Sequence, residues 1–277
     1  RRAGRDADLP PRGGTGRRGV RAVNAAGRMS RFFLWGALVF LYAPVVVLIA
    51  YSFNDSRFAV TWQGFTLRWY SGLLDNAETM AAARNTLIVS LSSTLLATAL
   101  GTLLAVGLGR HRFRGRSAVE LLLLLPIIVP DIIMGVALLT MYTAVHFPLG
   151  RTSIVLAHVS FQISFVTLVV RARLQDFPPS LIEAARDLGA DEWRAFRRIL
   201  LPLLAPGIVA GALIALALSI DDFVITYFTA GAGASTLPVR IYSMVRRGVT
   251  PEVNALSTVL LATTLLVTWL AARARRR

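Results

Sequence analysis

Pro178-Pro179-Ser180-Leu181-Ile182-Glu183-Ala184-Ala185-Arg186-Asp187-Leu188-Gly189-Ala190-Asp191-Glu192-Trp193-Arg194-Ala195-Phe196-Arg197-Arg198-Ile199-Leu200-Leu201-Pro202 is a charged island inside an otherwise apolar chain. Its spacing predicts two short helices joined by a turn. Ser180, preceded by Pro179 and followed three residues later by Glu183, is a capping box with a helix-start signal. Gly189 supplies the left-handed residue that a helix C-terminus favours. Asp191 is placed to cap the second helix, which Pro202 is expected to close. Trp193, Phe196 and Leu200 recur at helical spacing and give that helix one apolar edge, while Arg194, Arg197 and Arg198 cover the remainder. Taken alone, such a basic pair of helices suits DNA; between membrane spans it suits an amphipathic loop at a bilayer surface.

The surroundings favour the membrane. The 277 residues are 55% hydrophobic and 16% charged, with mean hydropathy +0.60, more apolar than a soluble domain. Cysteine is absent, which excludes disulfides and thiolate metal sites. His111, His146 and His158 are too scattered for a ligand cluster. The net charge is +15 and every basic residue is Arg. A pI near 11.6 would suit nucleic acid if the charge formed one patch, but here the charge follows membrane topology, and no nucleic-acid partner is expected.

Residues 1–31 hold nine Arg and few large apolar side chains, so 1–28 is expected to be a disordered tail. The sequence lacks a starting Met, and Met29 stands where a membrane protein would begin; we expect translation to start there. The run 32–53 is long enough to cross the ~30 Å hydrocarbon core as a helix. No small-residue cleavage site follows it, so it reads as a retained anchor. Further runs at 87–108, 121–145, 154–170, 203–230 and 256–272 make six expected spans in an all-α polytopic protein. With the N-terminus inside, the cytoplasmic segments hold 23 Arg and the outer segments six. Both termini and the island at 178–202 are therefore expected to face the cytoplasm. An island tethered at both ends to spans is a poor DNA reader. Pro126 and Pro130 are expected to kink or break the third span. Lipid tolerates such a break where protein or a water-filled cavity satisfies the freed backbone groups.

Three acids lie well inside the apolar runs: Asp131, Asp221 and Asp222. A carboxylate at mid-bilayer costs about 2.5–3.5 kcal/mol on insertion scales, so it normally faces a cavity and marks a transport path. Asp131 follows Pro130 at the start of a helical segment, where the helix dipole favours an anion. Asp221 and Asp222 are about 100° apart on a helix; one would face the path while the other pairs with a neighbour, and both assignments stay open. Rise per residue puts Asp131 and Asp221 ~20 and ~25 Å along their helices, at similar heights. The outer segment 54–80 is rich in aromatics, which reads first as an interfacial belt. With Trp69 and Tyr70 above them, the two carboxylates would suit a ligand carrying several amines, by ion pairing and cation–π contact. Internal pairing of the acids, or a role in proton-coupled movement, is the competing account.

No enzymatic constellation is present. The sequence has no G-x-x-x-x-G-K-[ST] loop, no Lys at all, no H-E-x-x-H and no G-x-S-x-G. The chain is expected to bind no cofactor; if transport is ATP-driven, ATP and Mg belong to another subunit.

Glu183-Ala184-Ala185, Gly189 and Ile199-x-Leu201-Pro202 resemble the EAA signature of permease subunits in binding-protein-dependent ABC importers. The resemblance implies a type I permease fold with its domain over about 83–271, and a coupling loop at 178–202 seated in the ATPase subunit. Glu192, Trp193 and Phe196 belong to that coupling surface. Further stretches are similar to the spermidine/putrescine branch of the family. They include Tyr51-Ser52-Phe53-Asn54, Trp62-Gln63-Gly64-Phe65-Thr66 with Trp69-Tyr70, Arg112-Phe113-Arg114-Gly115, and Pro130-Asp131. Ser56-Arg57-Phe58, Ser219-Ile220-Asp221-Asp222, Ile241-Tyr242-Ser243-Met244 and Pro251-Glu252-Val253-Asn254-Ala255 complete the set. The resemblance implies that Trp69, Asp131, Glu192 and Asp221 matter for polyamine uptake, with Glu192 acting through the coupling loop. It also implies a second permease subunit, two ATPase subunits, a periplasmic or lipid-anchored binding protein, and a place in the bacterial inner membrane. The alternatives keep the class with another cationic or small organic solute, or make the chain a stand-alone secondary transporter.

Overall fold

The computed structural model describes residues 16–56, 61–178 and 180–274, with side chains from Arg31 to Arg273. Among the described residues the protein is helical, apart from loops and one isolated bridge between Asn54 and Phe65.

The chain divides into two units. The first, residues 1–50, contains helix α1 (Gly16–Tyr51). Residues 16–28, expected to be disordered, are helical, while 1–15 lie outside the described residues. The physical reason is continuity: extending a helix already nucleated by an apolar span adds a hydrogen bond for each residue fixed, without a new nucleus. The second unit starts at Tyr51 and carries α2 (Arg68–Asp75), α3 (Ala77–Arg110), α4 (Arg116–Ile128), α5 (Asp131–Ala144) and α6 (Arg151–Gln175). The island follows as α7 (Ser180–Asp187) and α8 (Glu192–Ala195), leading into α9 (Leu201–Asp221). Then come α10 (Val224–Thr229), α11 (Leu237–Val245) and α12 (Pro251–Ala274).

Five described helices are long and apolar enough to cross a membrane, and α4 with α5 would make a sixth if the pair is one span. That pair is bent by 114°. Pro130 disfavours helix at the residue before it, and Val129 is accordingly extended, with φ −74° and ψ 130°. The Pro130 carbonyl then restarts the ladder by accepting from Ile133 and Met134. So sharp a turn removes the basis for placing Asp131 by rise along a straight helix.

Two further expectations are corrected. The fifth span does not run to residue 230: α9 ends at Asp221, Asp222 is extended, and α10 starts afresh. Nor does Pro202 close the island's second helix. A π turn over Phe196–Leu200 joins α8 to α9 as one rod from Glu192 to Asp221. In that turn the Leu201 N–H reaches back to the Phe196 carbonyl, so the ladder is already shifted where proline has no N–H to give.

The core lies where α3, α6 and α9 meet. Val166 on α6 is fully buried, and a Cβ on Gly101 of α3 would come within 2.8 Å of its side chain. Small residues at such crossings let helix backbones approach in the absence of a hydrophobic drive between spans. Polar bonds cross the same seam: Thr167 Oγ1 donates to the Gly101 carbonyl at 3.2 Å, and Gln162 Nε2 to the Ala215 carbonyl at 2.9 Å. Ile182, Ala195 and Leu200 of the island are buried in the same cluster as Val166, Val170 and Leu204. The island is thus part of the transmembrane core.

Candidate functional site

The break in α4–α5 and the break after α9 face one cavity of about 700 Å³, lined by Asp131, Asp221 and Asp222 together with Phe161, Phe223, Thr264 and Thr268. The three acids singled out in the sequence are therefore brought together, although they come from elements separated by a sharp bend. Asp131 sits in the first turn of α5, where unpaired N–H groups and the helix dipole favour a carboxylate. Asp131 and Asp221 are both exposed to the cavity. Among the described residues neither has an ion-pair or hydrogen-bond partner.

Asp222 is different. Its Oδ2 accepts the backbone N–H and the hydroxyl of Thr226, both at 2.7 Å, and its Oδ1 accepts the Ile225 N–H at 3.4 Å. The side chain thereby caps α10, satisfying donors that a helix start would leave orphaned. His158 Nε2 lies 3.2 Å from the same Oδ2. Both neighbouring acids line the cavity, but Asp221 is exposed and unpaired there, whereas Asp222 is bonded to backbone and histidine.

Trp69 and Tyr70 do not line this cavity. Trp69 Nε1 donates to the Asn54 carbonyl at 2.8 Å, and the Tyr70 hydroxyl lies 2.6 Å from Ser52 Oγ. Both pack beside the cluster of Leu73, Met244, Val253 and Leu256. Their polar atoms hold the loop after α1, because Asn54 is buried and its backbone and side chain need partners. The aromatics on the cavity wall are Phe161, Phe165 and Phe223, and Phe223 packs against Tyr242 at 4.6 Å and against Tyr227 at 5.5 Å between ring centroids. Tyr227 and Tyr242 are 48% and 41% exposed, and the Arg246 guanidinium lies 5.9 Å from the Tyr242 ring centroid. The sequence carried a signal for them, an aromatic directly after the acid pair and another four residues on.

In the island, α7 runs from Ser180 to Asp187 and is followed by Gly189, whose φ of +83° is left-handed. The Gly189 N–H meets the Arg186 carbonyl at 2.8 Å and the Ala190 N–H the Ala185 carbonyl at 2.9 Å, closing the helix end. Asp191 Oδ1 accepts the Arg194 N–H at 2.7 Å, as its spacing implied. Glu192 is exposed and pairs with Arg186 at 2.6 Å. Glu183 and Phe196 line a cleft of about 840 Å³ beside the island, with Arg110, Arg116 and Arg171 from the ends of three other helices.

The expected apolar edge splits. Leu200 is 2% exposed and belongs to the chain's own core, so it cannot fill a partner's groove. Ala185 is buried too, Ile199 and Leu201 are half-buried, and Ala184 and Pro202 are exposed. Trp193 is 65% exposed and Leu188, which the periodicity did not single out, 89%. These two are the most exposed large apolar side chains of the island, ahead of Leu181 at 41%.

The matches to known proteins agree with this geometry. The family model described as the inner membrane component of binding-protein-dependent transport systems matches residues 97–277. The chain is 42% identical over 242 residues to the spermidine/putrescine transport system permease protein PotC of Escherichia coli (strain K12), covering 87% of this chain and 92% of that one. It is 40% identical over 239 residues to the putrescine transport system permease protein PotI of the same strain, covering 84% and 85%. Among solved structures, a bacterial ABC transporter involved in the import of the acidic polysaccharide alginate superposes with a TM-score of 0.71 at 20% identity, over 93% of this chain and 96% of that one. The MetNI methionine ABC transporter in an inward-facing conformation gives 0.59 at 22% identity, over 75% and 96%. These two speak for the fold alone. A membrane-spanning helical chain with a core-anchored polar island, matched over most of its length, belongs to the family of inner-membrane components of binding-protein-dependent transport systems.

Proposed function

We propose that this permease subunit forms half of the path by which an ATP-driven importer takes up polyamines of the spermidine and putrescine kind. The observation that carries the reading is the pair of unpaired carboxylates, Asp131 and Asp221, on one cavity whose wall also holds Phe161, Phe165 and Phe223. A linear polyamine presents several cationic amines on an apolar chain, which ion pairing and cation–π contact both favour. The similarity to PotC and PotI points to the same class of solute.

A second, similar permease subunit completes the path. Two ATPase subunits hold the ATP and Mg, and this chain binds neither. A periplasmic or lipid-anchored binding protein delivers the solute to the outer side. The Arg distribution sets both termini and the island on the cytoplasmic side. There Trp193 and Leu188 enter the ATPase surface, Glu183 and Glu192 supply polar contacts, and Ile182, Ala195 and Leu200 pass its movement to α3, α6 and α9.

The test is uptake of labelled spermidine by the assembled importer in proteoliposomes. Unlabelled putrescine should compete, and Asp221→Asn should raise KM about tenfold, the scale of one charged hydrogen bond. Uptake that neither polyamine inhibits, or an unchanged KM in both Asp131→Asn and Asp221→Asn, would remove the polyamine assignment.

A further inference from the structure

The middle of α6 carries a histidine that the transport reading leaves unused. His158 is completely buried, and both ring nitrogens are engaged. Nδ1 lies 2.7 Å from Ser219 Oγ on α9. Nε2 lies 2.9 Å from Thr226 Oγ1 on α10 and 3.2 Å from Asp222 Oδ2 in the break between those helices. Ser219 Oγ continues to Ser93 Oγ of α3 at 3.3 Å. One ring thus joins four parts of the fold at the place where the backbone turns.

Donor bookkeeping puts a hydrogen on Nε2. An ionised carboxylate only accepts, and the Thr226 hydroxyl gives its proton to Asp222 Oδ2 at 2.7 Å. The ring nitrogen facing both oxygens must therefore carry a hydrogen: Nε2–H donates toward Thr226 Oγ1 and Asp222 Oδ2. Nδ1 faces the Ser219 hydroxyl, a group able to donate or accept.

We propose that His158 is a positioning residue of the translocation site: its Nε2–H holds the Asp222 carboxylate over the first amides of α10, fixing the backbone break that turns the adjacent Asp221 into the cavity. This rests on the reading of Asp221 as a cation ligand. Asp222 then acts through the backbone, and the acid pair divides into one ligand and one cap. Without the donor, Asp222 keeps a buried charge with one fewer partner, the cap competes with hydration, and Asp221 loses its fixed direction. A hydrogen bond to a charged group is worth about tenfold or more in an equilibrium, which sets the expected effect.

The chain has no native cysteine, so Asp221→Cys places a single thiol at the site and Thr268→Cys a control thiol on the same cavity. His158→Gln sets an amide N–H near the place of Nε2, whereas the shorter His158→Asn reaches only the place of Nδ1. In the assembled importer, His158→Asn should change the rate of Asp221→Cys labelling by a cationic methanethiosulfonate about tenfold, with His158→Gln within about twofold of the parent. Thr268→Cys should label alike in every background. In the cysteine-free protein His158→Asn should raise KM for spermidine about tenfold with Vmax within about twofold, and His158→Gln should restore it. Asp222→Asn should give the same shift and should not add to that of His158→Asn, since the two act through one bond; it also carries the test if His158→Asn does not assemble. Unchanged Asp221→Cys labelling in His158→Asn would overturn the proposal. So would an equal change at Thr268→Cys, or full additivity with Asp222→Asn. The labelling needs no transport, so a parent importer that ignores spermidine defeats the polyamine reading and leaves the histidine to be judged by its own assay.

Discussion

Trp69 and Phe223 are both large aromatics near charged neighbours, and their hydrogen-bonding opportunities separate their roles. Trp69 has an indole N–H, and a buried backbone carbonyl at Asn54 takes it at 2.8 Å. Its ring carries the Arg68 guanidinium at 4.5 Å, so the face open to a cation is already occupied. Phe223 has no polar atom to place and lies on the cavity wall with Asp221. Trp69→Phe should therefore lower the unfolding free energy of the purified subunit by about 1 kcal/mol, the net worth of one hydrogen bond, and leave KM unchanged. Phe223→Leu keeps an apolar side chain and loses the π face. It should raise KM for a polyamine several-fold, as a cation–π contact of about 0.5–2 kcal/mol implies, with little change in stability. Thermal unfolding and initial-rate uptake on the two variants decide it; a KM effect confined to Trp69→Phe would reverse the assignment.

Element boundaries were legible where the signal is local and lost where it is not. Gly189 and Asp191 set the ends of α7 and α8 through bonds to residues three to five positions away, so their chemistry can be read from spacing. The end of α9 cannot, because Asp222 is held by Thr226 four residues on and by His158 from 64 residues before it. Pro202 announces a stop that the π turn cancels, and the 114° bend exceeds the kink that two prolines imply. The acids of the site were legible because a carboxylate in an apolar run is costly wherever it lies. Trp69 and Tyr70 lie away from the acids' cavity, a separation that spacing does not reveal because belts and sites use the same residue types. Burial also divides the island. Ile182 is 8% exposed and Trp193 65%, although both are apolar residues on short amphipathic helices. Ile182→Ala should cost roughly 2–5 kcal/mol of fold stability by opening a cavity in the core. The paired change Leu188→Ala with Trp193→Ala should leave stability within about 0.5 kcal/mol while reducing the fraction of ATPase subunit that co-purifies with the permease. Undiminished co-purification would move the coupling surface elsewhere on the chain.

At the scale of the whole molecule, the ends of the helices of the second unit sort into two groups. The start of α3, the start of α12 and the body of α11 are tied by Asn76 to Glu252 and by Arg240 to Glu78. The start of α4 and the last turns of α6 are tied by Arg116 and Arg171, which share Glu120. The island lies at this second end, lining one cleft with Arg110, Arg116 and Arg171. Arginine is concentrated there, the pattern that the positive-inside rule expects of a cytoplasmic face, and on that reading a soluble ATPase would reach the island from that side. The absence of native cysteine makes the orientation measurable one thiol at a time. Asp75→Cys, at the exposed end of α2, should react with a membrane-impermeant maleimide in intact cells. Leu188→Cys should stay unlabelled until the inner membrane is permeabilised, and should then be shielded further when the ATPase subunits are co-expressed. Labelling of Leu188→Cys from outside intact cells would invert the topology and leave an ATP-driven partner with no surface to grip.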